Sequence, residues 1–436
     1  MRVLVGVRCL IRPKTGIGHH TLELVRALKR MPGGPSLGVF PQPGILQAMW
    51  AWHEFAPALK RGICDLAAKF KKNQPAPASP TGTFNPSPSL QESHGPTPAS
   101  REDLEESTRK KRAPYLFRQG AAAARSFYHY FRDRAFLHGK YDLYHEPNYF
   151  PIESDLPTIV TVHDLSAILH PEWHPDFRVK MHEVLVDQLV PGKCHFLTVS
   201  QFVKKQMVDL LGVDRSRVHV CCNGVREHLK PLGAPTVAAE LRKLGLPSDY
   251  FLHVGTIEPR KNLDLLLRAW EDLPLSVRSK HPLVLAGGIG WKEKQIISRI
   301  DSLKGKGLIH LGYVADRDLP ALYGGALGLV FPSHDEGFGM PPVEMLACGG
   351  AVISAPAGAV EEVTAPAAHI LRSTEVADWR RTMYRLATDY EWRQSLKSRS
   401  VQTAAQFTWD RCAHETFAAY RKLLEPVQSP RTSKAA

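Results

Sequence analysis

At 436 residues the chain has material for two or three domains with substantial cores, which excludes a small disulfide-stapled scaffold. Composition is that of a soluble globular protein, 43% hydrophobic and 23% charged, and no apolar stretch approaches the ~20 residues of a membrane span. A formal charge of +13, from 56 Lys and Arg against 43 Asp and Glu, favours anionic partners such as nucleotide phosphates or acidic lipid headgroups. No aromatic-basic motif for nucleic acid accompanies that charge, so nucleic acid is not an expected partner. Seven cysteines, with Cys221 and Cys222 adjacent, lack the spacing of a disulfide framework or a zinc site, and reduced thiols in a cytosolic setting are expected. The start, Met1–Val7, runs directly into a strand-to-helix pattern, so no leader segment is expected.

In chain order, Arg2–Arg8 predicts a first strand, and the loop through Pro13–Gly18 leads into a helical pattern over Leu22–Leu28. Ser36–Phe40 predicts a second strand. Regularity then fails from about 60 to 114, where Asn73–Ser100 is rich in Pro, Ser, Thr and Gly. That composition predicts a disordered insertion within the first domain. Strand patterns return at Tyr141–His145, Thr158–His163, His195–Ser200 and Val218–Cys222, with helices at Asp176–Val190 and Gln201–Leu211. A link punctuated by Pro and Gly follows at Lys230–Pro235.

The alternation then restarts: strand Phe251–Val254, helix Leu263–Glu271, strand Leu283–Ala286, helix Lys292–Leu303 and strand Leu308–Leu311. Helix Leu319–Tyr323, strand Leu327–Phe331 and a helix from Pro341 come next, then strands at Val352-Ile353 and His369–Leu371. Helices Glu375–Thr388, Trp392–Gln406 and Trp409–Leu424 close the pattern. Two rounds of alternating strands and helices predict an α/β protein of two Rossmann-like units with parallel sheets, facing across a cleft. The expected domains are 1–230, 231–408, a C-terminal helix at 409–427 and a polar tail at 428–436.

The most informative stretch is Ser333-His334-Asp335-Glu336-Gly337-Phe338-Gly339-Met340-Pro341-Pro342-Val343-Glu344. It joins a buried strand to a helix whose first turn holds prolines, which is where an α/β sheet binds ligands. A helix start offers free backbone N–H groups to an anion, and glycines let the main chain approach it. Glu336 and Glu344 are candidates to accept hydrogen bonds from sugar hydroxyls, so a phosphate beside a polyol describes a nucleotide sugar. Gly255-Thr256-Ile257-Glu258-Pro259-Arg260-Lys261-Asn262 ends another apolar strand. Its two cations suit a pyrophosphate clamp before a helix that Asn262 is expected to cap. His163-Asp164 follows a third strand end, a position that suits a ligand contact as well as a helix cap or a packed polar residue. Gly16-Ile17-Gly18 is half of a dinucleotide fingerprint and reads equally as a helix-start turn. Asn223-Gly224 is foremost a turn signal. No histidine spacing points to a metal.

In order and spacing these segments resemble the retaining glycosyltransferases of family 4, which have the GT-B fold. The resemblance rests on Thr15–Gly18, His163–Leu165, Ser200–Phe202, Asn223–Val225, Gly255–Lys261, Pro332-Ser333, Glu336 with Glu344, and Ala347–Gly349. It implies that C-terminal helices cross back to the N-terminal domain. His163 and Glu336 would be catalytic, with His163 near the reactive face of the sugar and Glu336 contacting it. The donor would be bound by Gly16, Gly18, Arg260, Lys261, Gly337, Phe338, Gly339, Met340 and Glu344, the last on the ribose. Gly312-Tyr313-Val314 would flank the base.

The implied reaction is metal-independent, cofactor-free transfer of a hexosyl unit, mannosyl favoured, from a nucleotide-diphosphate sugar. GDP-mannose is the favoured donor, with UDP- or ADP-glucose as alternatives. The acceptor would be a glycan or lipid-linked glycan in polysaccharide or cell-envelope biosynthesis. The location implied is cytoplasmic, with peripheral contact at an anionic inner membrane face. A non-catalytic glycan- or nucleotide-binding relative and a nicotinamide-dependent oxidoreductase are the competing readings. Three departures from the common pattern stand out: Thr256 where many members carry arginine, His19-His20 after the first glycine loop, and Cys348–Val352 without the usual proline.

Overall fold

The computed structural model describes residues 1–10, 16–40, 141–292 and 294–425. The insertion expected at about 60–114 and the tail at 428–436 lie outside the described residues. Among those residues the strands form two six-stranded sheets. The first contains β1 (Arg2–Gly6), β2 (Ser36–Phe40), β3 (Leu143–Glu146), β4 (Thr158–Val162), β5 (His195–Thr198) and β6 (Val218–Val220), in the order β2-β1-β3-β4-β5-β6. The second contains β7 (Tyr250–Val254), β8 (Leu283–Ala286), β9 (Leu308–Gly312), β10 (Ala326–Phe331), β11 (Val352–Ser354) and β12 (Ala368–Ile370). Its order is β12-β11-β10-β7-β8-β9. Pairing is parallel from β1 through β3 to β6 and across the whole second sheet.

These strands read as near-continuous apolar runs because both faces of each sheet are covered. Successive side chains point to opposite faces, so Tyr250 and Leu252 of β7 enter one core cluster while Phe251 enters the other. The first cluster packs Leu329, Phe331, Met345 and Leu346; the second packs Leu266, Trp270, Trp379 and Met383. Leu266 and Trp270, four residues apart, share one face of their helix and are fully buried. In the first sheet Val160, Val162 and Phe196 meet Val203 and Met207 in the same way.

The main helices are α1 (Gly16–Arg30), α2 (Asp176–Val184), α3 (Gln201–Asp209), α4 (Ala234–Lys243), α5 (Leu263–Glu271), α6 (Lys294–Leu303), α7 (Met340–Ala347), α8 (Val376–Thr388), α9 (Tyr390–Lys397) and α10 (Trp409–Leu424). α10 returns to the first half, where it packs on α1. The Tyr420 hydroxyl lies 2.6 Å from His145 Nδ1 there, and Trp409 meets the edge of the His20 ring.

Three expectations change. The helix expected at Trp392–Gln406 is two: α9 ends at Lys397 and a short helix, Ser400–Ala404, follows. At the break the Ser400 hydroxyl donates to the carbonyls of Leu396 and Gly350, tying the turn to the end of α7. The helix expected at Asp176–Val190 continues past α2 as a wider π-type turn, Leu185–Leu189. The link at Lys230–Pro235 runs into α4, because Pro235 stands in the first turn, where a missing N–H costs nothing.

Candidate active site at the switch point of the second sheet

β7 and β10 are neighbours, yet β8 and β9 extend to one side of them and β11 and β12 to the other. Connections leaving these two strand ends diverge and open a crevice. β7 delivers Gly255–Lys261 to that crevice, and β10 delivers Pro332–Gly339. The two segments that sequence singled out separately are therefore brought together.

Glu336 is at their junction. One carboxylate oxygen accepts from Lys261 Nζ at 2.6 Å, the other from Arg260 Nη1 at 2.7 Å. The same Nη1 donates to the Asp335 carbonyl at 2.8 Å, while Arg260 Nη2 and Nε reach Glu258 Oε1 at 2.8 and 3.1 Å. Glu258, Lys261, Asp335 and Glu336 are all buried. Burial by itself raises the Glu336 carboxyl, but Arg260 and Lys261 outweigh it and hold the group below its ordinary value. Burial, with Asp164 and Glu336 adding to it, pushes the Asp335 carboxyl up to about 6. Lys261 also lies 5.1 Å from the centre of the Phe331 ring.

The β10–α7 loop is shaped by its glycines. Gly339 precedes α7 with φ 92°, a left-handed conformation that side chains disfavour. A Cβ on Gly337 would stand 1.7 Å from the His163 carbonyl oxygen, so only glycine lets the loop touch the first half here. Phe338 is buried edge-on against Phe407 at 5.4 Å, and Met340 begins α7. Further along α7, Glu344 accepts from Arg226 Nη2 at 2.7 Å and from the Tyr323 hydroxyl at 2.8 Å. Arg226 Nη1 lies 2.9 Å from Asp316 Oδ1.

From the first half, His163 follows β4 and its Nε2 is 2.8 Å from the Pro147 carbonyl, so Nε2 carries the proton. Burial keeps its pKa below the ordinary value, and the imidazole is neutral at pH 7 with Nδ1 as acceptor. Asp164 Oδ1 accepts from the amide and hydroxyl of Ser166 at 3.0 and 2.7 Å. Burial opposes its charge, but Arg260 leads the groups that keep the Asp164 carboxyl below its ordinary value, an electrostatic link between the halves. Gly16 is the first residue of α1 and Gly18 is buried in its first turn; the next residue, His19, reaches Asp316 of the second half at 3.5 Å.

Other contacts join the halves around this crevice. The Ser200 hydroxyl, the N-cap of α3, accepts from Val203 N and donates to the Gly337 carbonyl at 2.7 Å. The Glu362 carboxylate accepts from the amides of Gln201 and Phe202, both at 2.9 Å. Trp173 stacks on His170 at 4.0 Å and on His334 at 5.3 Å, and Trp291 Nε1 donates to the Trp173 carbonyl at 2.8 Å.

Two expectations are corrected. Asn262 does not cap α5 through its side chain: it is in the left-handed region, φ 52°, as the chain turns out of the short 3-10 helix Pro259–Lys261. Asn223-Gly224 forms no turn but a close approach: a Cβ on Gly224 would stand 2.3 Å from the Trp409 amide, and Asn223 Oδ1 meets His20 Nδ1 at 2.8 Å. Sequence reasoning missed Arg226, Asp316 and Tyr323. Position just beyond a strand end was an available signal for the first two; Tyr323, inside an apolar helix, carried none.

The family model described as glycosyl transferases group 1 matches residues 239–402, and the one described as glycosyltransferase family 4 matches residues 92–228. The chain is 31% identical over 283 residues to the O-antigen chain mannosyltransferase B of Escherichia coli, covering 64% of this chain and 74% of that protein. It is 28% identical over 288 residues to the serotype-specific mannosyltransferase WbdA of the same organism, covering 64% of this chain but only 35% of the relative. The chain thus spans about a third of WbdA. Among solved structures, that of Anabaena HepE in complex with UDP-glucose superposes with a TM-score of 0.60 at 16% identity, over 96% of this chain and 100% of that one. WaaG, a glycosyltransferase involved in lipopolysaccharide biosynthesis, gives 0.61 at 11% identity, over 96% and 98%. Likeness at such identities carries the fold, two Rossmann-like units of the GT-B type.

Proposed function

Because the chain belongs to glycosyltransferase family 4, we propose that it transfers a hexosyl unit from a nucleotide-diphosphate sugar to a glycan or lipid-linked acceptor, with retention at the anomeric carbon. The observation that carries the donor assignment is the pairing of Arg260 and Lys261 around Glu336, on the loop that leads into α7. Two fixed cations and a helix start supply what a departing diphosphate needs, charge stabilisation already in place before the bond breaks. That provision supports a reaction with neither a metal nor a cofactor.

In this mechanism Glu336 orients the transferred sugar and keeps both cations at the diphosphate. His163, neutral with Nδ1 as acceptor, holds a sugar hydroxyl from the other side of the crevice. Gly16 and Gly18 line the phosphates from the first half, and the backbone around Gly337, Phe338, Gly339 and Met340 binds them from the second. Glu344 takes the ribose hydroxyls. The leaving phosphate accepts the acceptor's proton on the face where the glycosidic bond breaks, so Glu336 need not form a covalent bond. Excluding water from the crevice limits donor hydrolysis.

A mannosyl donor carrying GDP is favoured, and the mannosyltransferase names of the sequence relatives support the mannosyl unit. UDP- and ADP-glucose are the alternatives, the first in keeping with the ligand named for HepE. An acceptor that is a growing polysaccharide agrees with the O-antigen name of one relative and, at an anionic membrane face, with the net charge of +13. Among the described residues no helix is long and apolar enough to cross a membrane.

A thermal-shift panel of GDP-, UDP- and ADP-sugars tests the donor, since a bound ligand stabilises by mass action. GDP-mannose is expected to raise Tm most, and no shift with any of them would overturn the donor assignment. Glu336→Gln is expected to lower transfer by about 100-fold or more. Wild-type transfer by that variant would remove Glu336 from the chemistry.

A further inference from the structure

Glu344 lies in the second turn of α7, and the fork that holds it comes from elsewhere in the chain. Arg226 belongs to the stretch after β6 that links the two halves, and it is 7% exposed. Its backbone is fixed before any ligand arrives: Val225 N donates to the Phe407 carbonyl at 2.9 Å, and the preceding Gly224 is pressed against the Trp409 backbone. From there one guanidinium nitrogen reaches Glu344 at 2.7 Å and the other reaches Asp316 at 2.9 Å.

We propose that Arg226 is a positioning residue that presets the Glu344 carboxylate for the ribose diol of the donor, an inference that rests on the assignment of Glu344 to the ribose. A carboxylate offers about four acceptor sites. Arg226 occupies one on Oε1 and the Tyr323 hydroxyl one on Oε2, which fixes the plane of the group and leaves one site on each oxygen. Two adjacent hydroxyls of a ribose match that remainder.

A buried ion pair contributes little to stability, because desolvation offsets its attraction. A fork that reaches from the link between the halves into the second half is better explained by orientation. Lysine is a poor substitute, since a point charge on a flexible stem does not hold the Glu344 carboxylate at a fixed angle while facing Asp316. The neutral Tyr323 partner alone leaves the carboxylate free to turn about its last bond.

The test compares GDP with 2′,3′-dideoxy-GDP by titration calorimetry on the full chain, with the matching UDP and ADP pairs run alongside and the tightest pair carried forward. In wild type the ribo form is expected to bind at least about tenfold more tightly, the worth of hydrogen bonds to a charged group. In Arg226→Met that ratio is expected to fall close to one, with affinity for the dideoxy form changed by no more than about threefold. Arg226→Lys should give an intermediate ratio, and it serves alone if the Met variant fails to fold. An unchanged ratio in the variants, with affinity for both forms lowered together, would be the signature of a structural role and would overturn the proposal while leaving Glu344 at the ribose. A wild-type ratio of one would instead remove the ribose from Glu344, and the proposal with it.

Discussion

Asp335 brings a cost that the rest of the site imposes. It is buried, one of its carboxylate oxygens finds no partner among the described residues, and burial with Asp164 and Glu336 nearby lifts its carboxyl to about 6. A carboxyl that holds its proton more tightly in the folded chain adds stability below its ordinary value of 3.8 and loses it as pH rises through about 6. At neutral pH the charged group therefore weighs against the fold, by about 3 kcal/mol. Asp335→Asn removes that charge. Its Tm is expected to exceed that of wild type by a few degrees at about pH 7.5, with the gain fading toward about pH 4. A difference in Tm that does not vary with pH would rule out this charge as the cause. Arg260 and Lys261 show the other side of the site: Arg260 pairs with Glu336 and Glu258, and Lys261 with Glu336. On the proposed reading, donor phosphates compete with these internal carboxylates for the two cations.

The element that organises the site is the loop between β10 and α7. Gly337 lets it approach the His163 carbonyl, and any side chain there must push the loop and the first half apart. Gly337→Ala is expected to lower transfer by about 100-fold, the scale of an ångström-sized misplacement of reacting groups. Binding of a nucleoside diphosphate, which the proposed function rests mainly on the second half, should weaken by less than about tenfold. Equal losses in both measurements would place the defect in donor binding instead. This loop, like the strands before it, was legible in the sequence: an apolar run buried on both faces, followed by glycines and helix-start prolines, has few other readings. Its partners were less so. Pro235 has the look of punctuation yet stands in the first turn of α4, and Asn262 has the look of a cap yet turns the backbone left-handed. Arg226 and Asp316 each stand just beyond a strand end, which marks them as candidates, but their pairing is not legible. A salt link between residues far apart in the chain depends on how two elements are placed, and no local pattern encodes that.

At the scale of the whole molecule the two halves touch through small, polar and directional contacts around the crevice, together with the ring stack of His170, Trp173 and His334. α10 binds the C-terminal end of the chain to the first half, so both linking segments run side by side. One of the contacts has a use beyond holding. Helix α3 is started by Ser200 of the first half, yet two of its first amides, Gln201 and Phe202, are satisfied by Glu362 of the second. Whenever the halves part, these two protons lose their acceptor and meet water. Their hydrogen exchange is expected to slow when a nucleotide sugar is bound and to quicken in Glu362→Gln. Exchange at the rate of an open turn, with or without donor, would mean that the halves spend their time apart. One helix end thus reports whether the halves are together, readable amide by amide without a label and without a turnover.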